Sequence, residues 1–128
     1  MISTPRISVV IPTRNGAPTL AACLEALRAS TVPPFEIIVV DDASSYDSAR
    51  IAERFGCRVL RLRENIGAAR AKNRGAEIAS GDVLFFTDDD VIVARDAMAR
   101  LAKNFAERDA RVAGVVGLLD AKIPFDDF

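Results

Sequence analysis

Hydrophobic and polar positions along this chain alternate between two patterns, short β-branched runs and stretches with helical spacing. Residues 7–11, Ile-Ser-Val-Val-Ile, form a β-branched run that Pro12 is expected to stop, and they predict a buried strand. Pro18-Thr19 opens a helix, because Leu20, Cys23, Leu24 and Leu27 follow the i, i+3, i+4, i+7 spacing of one apolar face. Residues 35–40 are apolar almost throughout and predict a second strand, closed by Asp41-Asp42. A polar turn over residues 44–47 leads into a helix to about Phe55, with Gly56 as its expected C-cap. Residues 58–62 alternate polar and apolar, which predicts a third strand nearer an edge of the sheet. A third helix is expected from Asn65 to about Ala79, a fourth strand over residues 83–86 and a fourth helix from about Asp96 to Glu107. A last extended segment is expected over residues 112–119, loosened by Gly114 and Gly117.

Strands that alternate with helices imply an α/β fold: a Rossmann-like, mostly parallel sheet with helices on both faces. The near-continuous apolar strands agree, since parallel strands are covered on both sides. With a strand order of about 3-2-1-4, the order reverses between the first and fourth strands. Ligands of such sheets bind beyond the carboxyl ends of the strands at that reversal. The polar clusters after strand one (Pro12-Thr13-Arg14-Asn15-Gly16), strand two (Asp41-Asp42) and strand four (Asp88-Asp89-Asp90) would then surround one crevice.

Composition narrows the chemistry. The 128 residues are 50% hydrophobic and 27% charged, an ordinary globular balance for one domain over residues 1–128. The net charge of −1 gives no bulk reason to expect nucleic acid as a partner. No apolar run approaches the roughly 18 residues of a transmembrane helix, and residues 1–6 lack the apolar stretch of a signal peptide. The expected location is cytoplasmic, including the cytoplasmic face of a membrane. Cys23 and Cys57 read as reduced packing residues. The chain has no histidine, which excludes imidazole acid–base catalysis and His-based zinc sites. No G-x-G-x-x-G follows strand one and no G-x-x-x-x-G-K-[ST] occurs, which argues against dinucleotide dehydrogenases and P-loop enzymes.

Three consecutive carboxylates repel one another. In an extended segment residues i and i+2 point the same way, so Asp88 and Asp90 would converge on one point while Asp89 points elsewhere. A cation between them would explain the arrangement, and oxygen ligands favour Mg²⁺ or Mn²⁺. A solvated acidic turn or a cap for the next helix explains it equally. Asp41 and Asp42 are either turn residues or acceptors for a nucleobase N–H and ribose hydroxyls. Arg70, Lys72 and Arg74 either hold phosphate or form a solvated basic helix face.

Four motifs resemble one family. The run from Ile7 through Pro12-Thr13-Arg14-Asn15 is similar to the strand plus P-T-Y-N opening of family 2 glycosyltransferases. Residues 36–44, Glu-Ile-Ile-Val-Val-Asp-Asp-Ala-Ser, resemble its E-I-I-V-V-D-D-G-S strand. Asn65-Ile66-Gly67 with Lys72-Asn73-Arg74-Gly75 resembles its N-x-G…A-R-N-x-G segment, and residues 81–90 resemble its G-D-Y-I-x-F-L-D-x-D strand. The four lie in the family's order between about residues 5 and 118. The resemblance implies the GT-A fold and an inverting transfer of a sugar from a nucleotide diphosphate sugar to an acceptor hydroxyl, assisted by Mg²⁺ or Mn²⁺. UDP or dTDP sugars are favoured over GDP sugars, and the acceptor (sugar, lipid or protein) is left open.

Carried over by residue, Pro12, Thr13 and Asn15 would border base and ribose. Asp42 would accept the base N3–H with Asp41 in support. Asp88 would bind ribose or metal, with Asp89 beside it, and Asp90 would be the principal metal ligand, bridging to the diphosphate. Arg14 stands where the family has an aromatic residue, so stacking would come from a guanidinium. Lys72 stands at the family arginine, keeping the charge but losing the bidentate fork. The family's general base lies well beyond the D-x-D, and Asp120, Asp126 and Asp127 are too near the end to be assigned that role. The expectation is a nucleotide-diphospho-sugar-binding domain that stops before the acceptor-binding region. The alternative is a module that binds nucleotide sugar without turnover for want of that base.

Overall fold

The structure, a computed structural model, describes residues 4–45 and 47–107. Four strands and four helices alternate: β1 (Ile7–Thr13), α1 (Ala17–Arg28), β2 (Glu36–Asp42), α2 (Ser48–Arg54), β3 (Arg58–Leu62), α3 (Ala68–Ile78), β4 (Val83–Phe86) and α4 (Ala97–Glu107). The strands form one parallel sheet in the order β3-β2-β1-β4, as the pattern predicts, with β3 at an edge. The segment expected over residues 112–119 and the acids Asp120, Asp126 and Asp127 lie outside the described residues.

Alternation along the strands sorts the core into two layers. Ile7, Val9, Ile11 and Val39 pack with Leu20, Cys23, Leu24 and Leu27 of α1, Ala52 of α2 and Met98 and Ala102 of α4. Val10, Ile38 and Val40 face the other way, against Ala71 of α3. Each fully buried Leu or Ile contributes about 1.5–3 kcal/mol relative to exposure. α3 comes close to the sheet because of Gly75, where a Cβ would overlap Val10 Cγ1 and press on Val40. Gly75→Ala is expected to destabilise the fold by about 1–3 kcal/mol through overpacking, read as a lower urea midpoint.

Several boundaries differ from expectation by one to three residues, β2 for example running over Glu36–Asp42 instead of 35–40, and two of them have an identifiable cause. β1 runs through Pro12 to Thr13 instead of ending at Ile11. The carbonyl of Val10 accepts the N–H of Thr87, so residues 8, 10 and 12 turn their backbone groups toward β4. Pairing with β4 ends at Val10, whereas pairing with β2 continues to Thr13. The missing N–H of Pro12 therefore faces a side where no strand waits for it. α3 begins at Ala68, three residues after the expected start at Asn65, because Gly67 takes a non-helical φ of 89°, a turn that the Asp42 carboxylate on β2 holds through the N–H groups of residues 66 and 67.

The end of the sheet opposite the crevice is tied by Glu36. Its carboxylate accepts Ser8 Oγ at 2.6 Å, the Ser80 N–H at 2.6 Å and Arg58 Nη1 at 3.0 Å. Burial alone would raise this carboxyl, but the hydrogen bonds from Ser8, Ser80 and Arg58 outweigh it and hold it below its ordinary value. Beside it, the Arg6 guanidinium donates to both oxygens of Asp82 and lies 4.8 Å from the centroid of the Phe35 ring. Cys23 and Cys57 are both unpaired, with burial pushing each thiol up to about 11.

Candidate functional site

The carboxyl ends of β1, β2 and β4 lie side by side, and the loops that leave them are joined by hydrogen bonds. Asp42 ends β2 almost fully buried, at 4% exposure. One of its oxygens accepts the Ile66 N–H at 2.8 Å and the other accepts the Gly67 N–H at 2.9 Å. Gly67 takes φ 89°, open to glycine and strained for other residues, and leads directly into α3. Asp42 thus fixes the start of α3 over the end of β1. Pro12, Thr13, Arg14, Asp42, Asn65, Gly67 and Ala68 enclose a cavity of about 160 Å³ there.

Asp41 acts differently. Its Oδ1 accepts the Ser44 N–H at 3.1 Å and closes a turn within its own loop. Asn15, at φ 56°, donates its N–H to Ser44 Oγ and accepts the Ser45 N–H at 2.7 Å, which staples the loop after β1 to the loop after β2. Ala43 sits at φ 57°, where the resembled motif has glycine. An L-residue there is strained by about 1–2 kcal/mol, part of which glycine's greater unfolded-state entropy offsets. Ala43→Gly is therefore expected to stabilise the chain by about 0.5–1 kcal/mol, read as a rise in melting temperature.

The acidic triplet does not prolong β4. The strand ends at Phe86, and residues 88–91 form a turn in which the Val91 N–H reaches the Asp88 carbonyl at 3.3 Å. The i, i+2 alternation of an extended segment therefore does not apply. The middle acid is set apart by a tertiary contact, since Asp89 Oδ2 accepts the hydroxyl of Thr13 at 2.7 Å. Asp88 and Asp90 are exposed, and Asp88 Oδ1 lies 3.7 Å from Lys72 Nζ on α3. Lys72 turns toward the acids, whereas Arg74 pairs with Glu77 one turn along its own helix. Among the described residues, no group of three or more His, Cys, Asp or Glu side chains could hold a metal ion by itself.

The crevice thus joins two parts. The cavity gathers Pro12, Thr13, Arg14 and Asp42, and the turn gathers Lys72, Asp88 and Asp89, with Thr13 in both. Asp41 and Asn15 serve the surrounding loops. A larger hollow of about 480 Å³ lies away from the acids, between Leu60, Leu62, Ile66 and Ile78 with charged residues at its rim. The smaller cavity is the better candidate, because several polar groups converge on it at the sheet's reversal point. The sequence assigns Asn65, Gly67 and Ala68 no lining role, and it puts Gly16 near the crevice without showing that a Cβ there would overlap the Asp89 carboxylate. The N-x-G run was the available signal for Asn65 and Gly67; nothing local marks the need for a bare backbone at Gly16.

The family model of glycosyl transferase family 2 matches residues 8–121. The chain belongs to this family. Among curated family relatives, glycosyltransferase GlyG of Streptococcus pneumoniae is 37% identical over 111 residues, covering 83% of this chain and 37% of that protein. The PGL/p-HBAD biosynthesis glycosyltransferase of Mycobacterium tuberculosis is 34% identical over 114 residues, covering 84% and 44% respectively. The chain therefore spans less than half the length of these glycosyltransferases. Staphylococcus aureus TarS 1-349 in complex with UDP-GlcNAc superposes with a TM-score of 0.75 at 27% identity, over 80% of this chain and 31% of that one. The mannosyltransferase PcManGT of Pyrobaculum calidifontis, in complex with GDP-Man and Mn²⁺, gives a TM-score of 0.75 at 29% identity, over 82% and 33%. No helix among the described residues is long and apolar enough to cross a membrane.

Proposed function

We propose that this chain supplies the donor half of a family 2 glycosyltransferase site, binding a nucleotide diphosphate sugar for inverting transfer to an acceptor hydroxyl. The observation that carries this reading is the junction at Thr13, whose hydroxyl ties an acceptor-rich cavity to an acidic turn. The cavity takes the base, with the Asp42 carboxylate as acceptor for a ring N–H and Arg14 over the ring face. UDP and dTDP sugars remain the expected donors over GDP sugars. The TarS complexes with UDP and UDP-GlcNAc support nucleotide-sugar binding at this fold.

The donor set at the turn fits a hard divalent cation, because Asp88 and Asp90 offer only oxygens and both are exposed. Those two residues would hold Mg²⁺ or Mn²⁺ together with phosphate oxygens, the usual complement when a protein offers one or two carboxylates. Such an ion supplies a Lewis acid for the charge that collects on the departing nucleotide diphosphate. Lys72 brings a further positive charge to the same place, and the PcManGT complex with Mn²⁺ supports use of a metal. The two unpaired thiols suit a reducing compartment, in keeping with a cytoplasmic location.

An inverting transfer also needs a base for the acceptor proton. Asp42 and Asp89 are committed to hydrogen bonds and Asp88 faces Lys72, all on the donor side. That commitment favours a second reading, in which this stretch binds donor without turning it over. Calorimetric titration with UDP tests the first step. Mn²⁺ is expected to tighten binding by at least about tenfold, and Asp90→Ala to remove that gain. Binding that ignores both the metal and the substitution would refute the proposed role of the turn. Release of free UDP from a UDP-sugar then separates transfer or hydrolysis from binding alone.

A further inference from the structure

We infer that Asp89 is the positioning residue of the acidic turn rather than one of its metal ligands, and that Thr13 and the bare backbone of Gly16 form the socket that holds it. The inference rests on the donor-site reading and adds to it the part that sets the geometry. Thr13 closes β1 at 2% exposure, and its Oγ1 donates to Asp89 Oδ2 at 2.7 Å. The Asp89 carboxylate fills the space beside Gly16, so that any Cβ there would overlap it and crowd Thr13 Oγ1. The φ of −88° at Gly16 is open to any residue, so glycine is needed here for space and not for conformation.

The socket stands on rigid ground. The carbonyl of Gly16 accepts the N–H groups of Thr19 at 3.0 Å and Leu20 at 2.9 Å, which opens α1. On the other side, the Asp88 carbonyl receives the Val91 N–H at 3.3 Å and the thiol of buried Cys23 at 3.6 Å. The turn is thus held by its middle side chain and its first carbonyl, leaving the carboxylates of Asp88 and Asp90 exposed on either side. Drawing the middle acid onto a hydroxyl donor also removes one of three like charges from the place where a cation would sit.

A positioning role and a ligand role predict different responses to conservative change. Asparagine keeps an oxygen that can accept the Thr13 hydroxyl but lacks the negative charge with which a carboxylate ligand strengthens its hold on a divalent cation. Asp89→Asn and Thr13→Ser are expected to keep the Mn²⁺ gain in UDP binding within about threefold of the parent, whereas Asp89→Ala and Thr13→Val lose about tenfold or more. Amide hydrogen exchange at Val91 reports the turn without any ligand, and is expected to quicken in the alanine and valine variants alone. An Asp89→Asn chain that loses the Mn²⁺ gain as fully as Asp89→Ala, with Val91 exchange unchanged, would make Asp89 a ligand and overturn the inference. If the parent binds no UDP with or without Mn²⁺, the donor-site reading fails by itself. The exchange pattern still decides the socket: equal rates in all four variants refute it, and the split between conservative and truncating variants supports it.

Discussion

An Asp42→Ala chain is expected to bind UDP about a hundredfold more weakly than the parent and to lose about 2–3 kcal/mol of stability. Both effects come from one carboxylate. In the folded chain its two oxygens hold the N–H groups of Ile66 and Gly67, and those bonds form one wall of the cavity at the end of β1. Alanine leaves both amides to water and releases the Gly67 turn, so the cavity loses its wall as well as its acceptor. Asp42→Asn should fall nearly as far, because an amide has one acceptor where two N–H groups need one each. Titration calorimetry and urea denaturation on the same preparations check the two halves. A variant that loses stability yet binds UDP like the parent would remove Asp42 from the base-binding role and leave it as a loop anchor.

The second large effect is expected at the opposite end of the sheet. Glu36→Gln should cost about 2–3 kcal/mol near neutral pH, since the amide can neither pair with Arg58 nor accept all three of the bonds that reach the carboxylate. The pH dependence follows from the direction of the shift. The folded-state carboxyl lies below its ordinary 4.5, so the unfolded chain takes up the proton first. The stabilisation from Glu36 is therefore complete above that ordinary value and is lost as pH falls through the folded one. Urea midpoints measured from pH 7 down to about pH 3 should show the parent approaching Glu36→Gln in acid. A constant gap across that range would show that the carboxylate's charge does not drive the effect.

Much of the architecture was legible because it depends on local pattern. The unbroken apolar run at residues 83–86 and the alternation at residues 58–62 have the bounds of β4 and β3, and the topology followed from strand–helix alternation. The departures share one physical cause, partners distant in the chain. Pro12 stays in its strand because β4 turns away at Thr87. Residues 66 and 67 stay out of α3 because Gly67 is non-helical, in a turn that Asp42, 24 and 25 residues earlier, holds by their N–H groups. At the candidate site, residue types and strand ends pointed to one crevice for Pro12, Thr13, Arg14 and Asp42, which line a common cavity, whereas the pairing of Lys72 with Asp88 came only from the structure. The setting of Asp89 was not legible, because it depends on a hydroxyl 76 residues away and on empty space at Gly16.

The knot around Glu36 also bears on the order in which the chain assembles. Its donors lie 22, 28 and 44 residues from it in sequence, and the Ser8 hydroxyl in turn accepts the Gly81 N–H across 73 residues. Contacts of such separation form only after the intervening loops have closed. The knot is therefore expected to form late, so that Glu36→Gln speeds unfolding more than it slows refolding, which the two arms of a urea chevron would read. The end of the sheet away from the crevice is then the one that sets how long the native chain stays closed.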